Sequence, residues 1–64
     1  MILGIDIGGT PSKLGLVQEG RVIARARIHT TGHADDRAFA DALANEARQL
    51  AVAQGAAITA IGAT

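Results

Sequence analysis

The stretch that most constrains the fold is residues 2–10, a short apolar run that holds one carboxylate and ends in two glycines and a threonine. The apolar residues around Asp6 predict a strand, and an Asp inside such a strand is costly to bury unless it meets a cation or a hydrogen-bond donor. Gly8 and Gly9 give the backbone access to unusual torsions and let it approach a ligand closely. A turn of this kind can aim successive N–H groups at phosphate oxygens, and a neighbouring carboxylate suits hydrated Mg²⁺. We therefore predict a phosphate-binding hairpin.

The next segments predict two more strands. Apolar residues resume over residues 12–17, and residues 21–29 alternate with period two, as in a half-buried antiparallel strand. Gly20 can take a positive φ in the turn between them. With a first strand over residues 2–7, this predicts a three-stranded antiparallel meander. The alternation assigns one face of the third strand to Val22, Ala24, Ala26 and Ile28, and the other face to Arg21, Ile23, Arg25, Arg27 and His29.

A helix and a fourth strand follow. Residues 36–53 are rich in helix formers, Asp35 or Asp36 can cap the N-terminus, and Gly55 stands where helices commonly end. Residues at helical spacing form a modest apolar stripe: Phe39, Leu43, Ala47, Leu50 and Ala51. Residues 57–63 predict a strand parallel to the first, reached by a right-handed crossover. The fold class is therefore α/β.

Composition excludes several classes of function. The chain has 64 residues, room for one small domain, and Ala supplies 14 of them while Phe39 is the only aromatic, so the core is shallow. Its net charge of zero argues against nucleic-acid binding. There is no Cys, no apolar run long enough for a membrane span and no basic N-terminal region of a signal peptide, so we expect a cytoplasmic protein. His29 and His33 lack a nearby third ligand and do not predict a metal site.

The motif also resembles a known family. Asp6-Ile7-Gly8-Gly9-Thr10 is similar to the first phosphate motif of the sugar kinase, hsp70 and actin superfamily. Together with the following segment, residues 13–17, it most resembles the ROK group of bacterial sugar kinases. The resemblance implies the N-terminal half of an actin-like ATPase (ribonuclease H-like) domain, with ATP and Mg²⁺ as cofactors and a hexose as substrate. It assigns nucleotide phosphate binding to Gly4, Asp6, Gly8, Gly9, Thr10 and Lys13, with Asp6 also holding Mg²⁺ through water.

The same resemblance assigns no catalytic residue to these 64 residues. In ROK-like kinases the catalytic aspartate and the zinc-binding cysteines follow later in the chain, so we expect an N-terminal portion that does not turn over alone. Pro11 departs from the family, which usually has Lys there, and Pro has no N–H to offer a phosphate. Lys13 points to the same side of the strand and can partly replace that cation.

Three alternatives share parts of this pattern. Hydantoinase- or oxoprolinase-like ATPases have the same Asp-x-Gly-Gly-Thr opening. ROK-like transcriptional repressors bind sugar but carry a helix-turn-helix ahead of the motif, and because the strand here starts at Met1 we expect no such segment. A self-associating, non-catalytic module is the third, because exposed strand edges can pair between molecules. The expected partners are a nucleotide and a small sugar, with neither nucleic acid nor membrane, and a homo-oligomer through strand edges.

Overall fold

A computed structural model describes residues 1–64 as four strands and one helix. The elements are β1 (Ile2–Asp6), β2 (Ser12–Gln18), β3 (Arg21–Ile28), α1 (Asp36–Gln54) and β4 (Ala60–Ala63). The sheet has the strand order β3-β2-β1-β4, with both hairpins antiparallel and β4 parallel to β1. This confirms a small α/β unit built from a three-stranded meander, a helix and a parallel fourth strand.

The core lies between one face of the sheet and α1. Leu3, Leu14 and Leu16 from the strands pack with Leu43 and Ala47 from the helix. The predicted apolar stripe is confirmed, since its members are either buried or packed against this cluster. The helix lies mainly over β3 and β2, so the opposite face of the sheet, here called the open face, has no covering layer.

Both helix ends are fixed as the sequence predicts. Asp35 is the N-cap, and its carboxylate accepts a 2.8 Å hydrogen bond from the backbone N–H of Ala38. Gly55 ends the helix in the left-handed region, with φ 62°, and its N–H donates to the carbonyl of Val52. No helical segment combines the length and the apolarity needed to cross a bilayer.

We expect Asp35→Ala to lower the free energy of unfolding by about 1 kcal/mol, because it leaves an N–H of the first turn unpaired. Urea denaturation followed by far-UV circular dichroism measures this loss. Asp41→Ala is the matched control, since it removes an exposed carboxylate of the same helix that caps nothing. Equal losses in the two variants would show that the cap contributes nothing specific.

The predicted alternation in β3 is wrong at the start of that strand. Leu16 pairs with Ala24, but the next residue, Val17, pairs with Val22, so Ile23 is an extra residue in a bulge. Val22 therefore moves to the open face, where its Cγ1 would lie 3.3 Å from a Cβ added at Gly15. The bulge follows a turn whose two central residues, 19 and 20, both have positive φ.

The bulge also divides the arginines. Arg25 and Arg27 pair with Gly15 and Lys13 on the open face, whereas Arg21 pairs with Gln18 at the far end of the strand. The three arginines therefore do not share the single face that the alternation predicts.

Element boundaries differ from the prediction by one to three residues. β1 ends at Asp6 rather than residue 7, β2 extends to Gln18, β3 stops at Ile28 and the helix runs to Gln54. β4 begins at Ala60 rather than near residue 57, because β1 begins only at Ile2, which is the register partner of Ala60.

Candidate functional site

The candidate site is the loop of residues 7–11 together with the strand ends that flank it. Asp6 ends β1 and Lys13 lies near the start of β2, and the two are register partners across the hairpin. Lys13 is in turn the partner of Arg27 in β3. A row of one carboxylate and two cations therefore crosses three strands beside the loop. All three side chains are exposed, so Asp6 does not carry the burial cost that its apolar neighbours suggest.

The two glycines of the loop have different roles. A Cβ at Gly8 would lie 3.1 Å from the carbonyl oxygen of Pro11, so a side chain there would require the loop to shift by a few tenths of an ångström. A Cβ at Gly9 would meet nothing within 4 Å, which leaves its backbone open to an approaching group. Thr10 is also exposed.

The expectation that Gly8 and Gly9 adopt unusual backbone torsions is wrong. The glycines with positive φ are Gly20, Gly32 and Gly55, none of which belongs to the loop. Space is tight at Gly8, where the chain folds back on itself, whereas the space around Gly9 is open.

A hydrogen-bonded pair of hydroxyls, Ser12 and the half-buried Thr30, anchors the loop, and the sequence did not predict it. Thr30 Oγ1 donates to the carbonyl oxygen of Gly8 at 2.9 Å. Because a hydroxyl has one proton, Ser12 must then donate to Thr30 Oγ1, at 2.6 Å. Ser12 is fully buried, and this network ties the loop to the end of β3. The sequence feature that could have indicated this network is the position of Ser12, which lies on the inward face of β2 with Leu14 and Leu16.

Gly4 belongs to a different part of the site. It pairs with Gly15 on one side and with Gly62 on the other. These three glycines form the bottom of a shallow concavity of about 660 Å³ on the open face. Asp6 and Lys13 line this concavity, and the arginines at 25 and 27 join them. Gly8, Gly9 and Thr10 lie outside it, so the structure gathers the predicted residues into two adjacent places.

The site offers few metal ligands. The structure contains no cluster of three or more His, Cys, Asp or Glu side chains suited to a metal, and Asp6 is the one acidic side chain at the site. Mg²⁺ keeps several waters and commonly binds through one or two carboxylates plus substrate phosphates. The donor set therefore fits a Mg²⁺ ion that arrives with a nucleotide.

The two histidines have local structural roles. The ring nitrogen Nε2 of His33 lies 2.8 Å from the carbonyl oxygen of His29. The His33 ring also packs against Phe39, with ring centroids 5.2 Å apart. These contacts join the loop after β3 to the first turns of the helix.

Comparison with known proteins found no match among protein-family models, curated proteins or solved structures. The resemblance therefore stays with the motif of residues 6–10 and the segment after it.

Proposed function

We propose that this chain is the phosphate-binding N-terminal portion of an ATP-dependent hexose kinase of the ROK type, with the actin-like ATPase (ribonuclease H-like) fold. One observation carries the proposal: an exposed Gly9-Thr10 backbone stands next to Asp6 and Lys13, which are paired in register at the same end of the hairpin. The order of meander, helix and parallel strand supports the same fold.

Each residue has a role in that proposal. The unobstructed backbone at Gly9 lets a phosphate oxygen approach the main chain, and the exposed Thr10 hydroxyl can donate to it. Lys13 supplies a positive charge in place of the usual Lys at position 11. Asp6 would orient Mg²⁺ through bound water, and the ion would neutralise phosphate charge during transfer.

Gly8 and Gly4 support these groups rather than touch the nucleotide tail. Gly8 suits the tight path of the loop, since an added Cβ would lie 3.1 Å from the carbonyl oxygen of Pro11. Gly4 keeps the sheet surface low beneath Asp6 and Lys13. Neither residue supplies chemistry of its own.

The chain binds in this proposal and does not catalyse. A general base must take the proton from the sugar hydroxyl, and no carboxylate other than Asp6 lies at the site. We expect no phosphorylation by these 64 residues in a sensitive assay with ATP and common hexoses. The working enzyme would be cytoplasmic, where ATP and Mg²⁺ are available.

We expect Mg²⁺-ATP to shift the amide resonances of residues 6–13 in a ¹⁵N NMR titration, and AMP to shift them much less, because AMP lacks the β- and γ-phosphates.

Asp6→Asn should weaken binding of Mg²⁺-ATP about tenfold or more, since hydrogen bonds to charged groups contribute about 1.5–3 kcal/mol. Asp41→Asn, a change of the same kind on the exposed helix surface, should leave binding unchanged.

Two outcomes would contradict the proposal. Equal shifts with ATP and AMP would show that the loop does not recognise the phosphate tail. Shifts confined to the arginines of β3 would place binding on the open face, away from the loop.

A further inference from the structure

Residues 8–11 of the β1–β2 loop make one hydrogen bond in the structure, and its donor is Thr30. No backbone N–H or carbonyl of these four residues pairs with another backbone group. Thr30 Oγ1 donates to the carbonyl oxygen of Gly8 at 2.9 Å. The orientation of the peptide between Gly8 and Gly9 therefore depends on a side chain 22 positions away in the sequence.

The Gly8–Gly9 peptide has little else to hold its orientation. Rotating a peptide plane changes ψ of the residue before it and φ of the residue after it, and here both residues are glycine. Glycine adopts positive and negative φ about equally readily, and a Cβ at Gly9 would meet nothing within 4 Å. Neither torsional preference nor packing at Gly9 selects one orientation, so the hydrogen bond from Thr30 sets it.

Ser12 commits the Thr30 hydroxyl to this bond. The two hydroxyl oxygens lie 2.6 Å apart, and the single proton of Thr30 goes to the Gly8 carbonyl, so Ser12 donates to Thr30. Ser12 has no exposed surface, which keeps water away from its hydroxyl. Hydrogen bonds in such a chain polarise one another. A carbonyl that accepts from this chain makes the N–H of the same peptide, that of Gly9, a stronger donor.

The N–H of this peptide is directed away from Thr30. The peptide is trans and planar, so its N–H points opposite to its carbonyl, and no protein group accepts from the Gly9 N–H. We propose that Thr30 is a positioning residue of the phosphate site: it holds the Gly8 carbonyl so that the Gly9 N–H donates to the phosphate tail of the nucleotide. The role rests on the proposed function, since it requires that the loop binds phosphate.

The opposite orientation of the same peptide opposes binding. A peptide rotated by half a turn presents the Gly8 carbonyl oxygen, with its partial negative charge, to the phosphate and turns the Gly9 N–H inward. Loss of the Thr30 hydroxyl therefore removes a donor from the site and also admits a repulsive acceptor. This effect on affinity is separate from the effect of the same hydroxyl on stability.

A ¹⁵N NMR titration of the 64-residue chain with Mg²⁺-ATP, and in parallel with Mg²⁺-tripolyphosphate, tests the role of Thr30. In the wild type we expect the Gly9 amide proton to move downfield further than the amide protons of Gly8 and Thr10, because it donates to a phosphate oxygen. Thr30→Val keeps the shape of the side chain without its hydroxyl and should weaken binding of both ligands about tenfold. Thr30→Ser keeps the hydroxyl and should retain both the affinity and the Gly9 shift.

Asp35→Ala is the control that separates positioning from stability. It removes the helix cap and leaves the β1–β2 loop untouched, so its folded molecules should bind both ligands as the wild type does. Every variant is titrated at a temperature where circular dichroism shows it to be folded. If Thr30→Val does not fold at any temperature, the Gly9 shift in the wild type decides the question.

Two results overturn the role of Thr30 and leave the proposed function standing. One is phosphate binding in which the Gly9 amide proton moves no further than its neighbours in the loop. The other is a folded Thr30→Val variant that binds both ligands as tightly as the wild type. A wild-type chain that binds neither ligand contradicts the proposed function and the role of Thr30 together.

Discussion

Leu16→Ala should unfold a large fraction of the molecules. Leu16 has no exposed surface and lies in the centre of the cluster that joins β2 to α1. Truncating a buried Leu to Ala costs about 2–5 kcal/mol, while the total stability expected for a domain of this size is roughly 3–10 kcal/mol. Urea denaturation followed by circular dichroism should show a midpoint shifted towards zero denaturant.

The size of this effect follows from how little else is buried. The buried apolar set is six residues, and two of them are alanines, so Leu16 supplies a large share of the buried apolar surface. Val52→Ala is the control: Val52 is mostly exposed, and its truncation should change stability by less than about 0.5 kcal/mol. Similar losses in both variants would mean that the sheet–helix core is not the main source of stability.

The elements could be predicted because each has a local cause. Asp35 and Gly55 fix the helix ends through a side-chain acceptor and a left-handed residue, and both act within a few residues of their own positions. The parallel placement of β4 follows from the strand–helix–strand order, because a helix between two strands carries the chain back to the end of the sheet where the first strand began. The antiparallel pairing of β1 with β2 likewise follows from the short connection between them.

The features that the sequence did not predict depend on contacts between segments that are distant along the chain. Ile23 is the unpaired residue of the bulge because the turn before it sets the register of β3 against β2. The alternation of side chains within β3 alone does not predict that register. Thr30 meets Gly8 across 22 positions of sequence, so no local pattern links them. The alignment of Gly4, Gly15 and Gly62 on the open face could not be predicted either, because it depends on the register of three strands.

We expect Thr30→Val to lower the free energy of unfolding by about 1–3 kcal/mol and to loosen the β1–β2 loop. Valine keeps the shape of threonine but leaves the Gly8 carbonyl and the buried Ser12 hydroxyl without their partner, and an unsatisfied buried polar group carries this cost. Amide hydrogen exchange should therefore accelerate in residues 7–11 more than in the helix. If the proposed kinase role is right, affinity for Mg²⁺-ATP falls as well.

Thr31→Val provides the control, because it makes the same chemical change at the next, exposed position and should cost little. Ser12→Ala then separates the two hydrogen bonds of the network. In the Ser12→Ala, Thr30→Val double variant no buried hydroxyl is left unpaired on β2, so the double loss should be smaller than the sum of the single losses. Additive losses would show that the two hydroxyls act independently, and the loop would then be held by its backbone path alone.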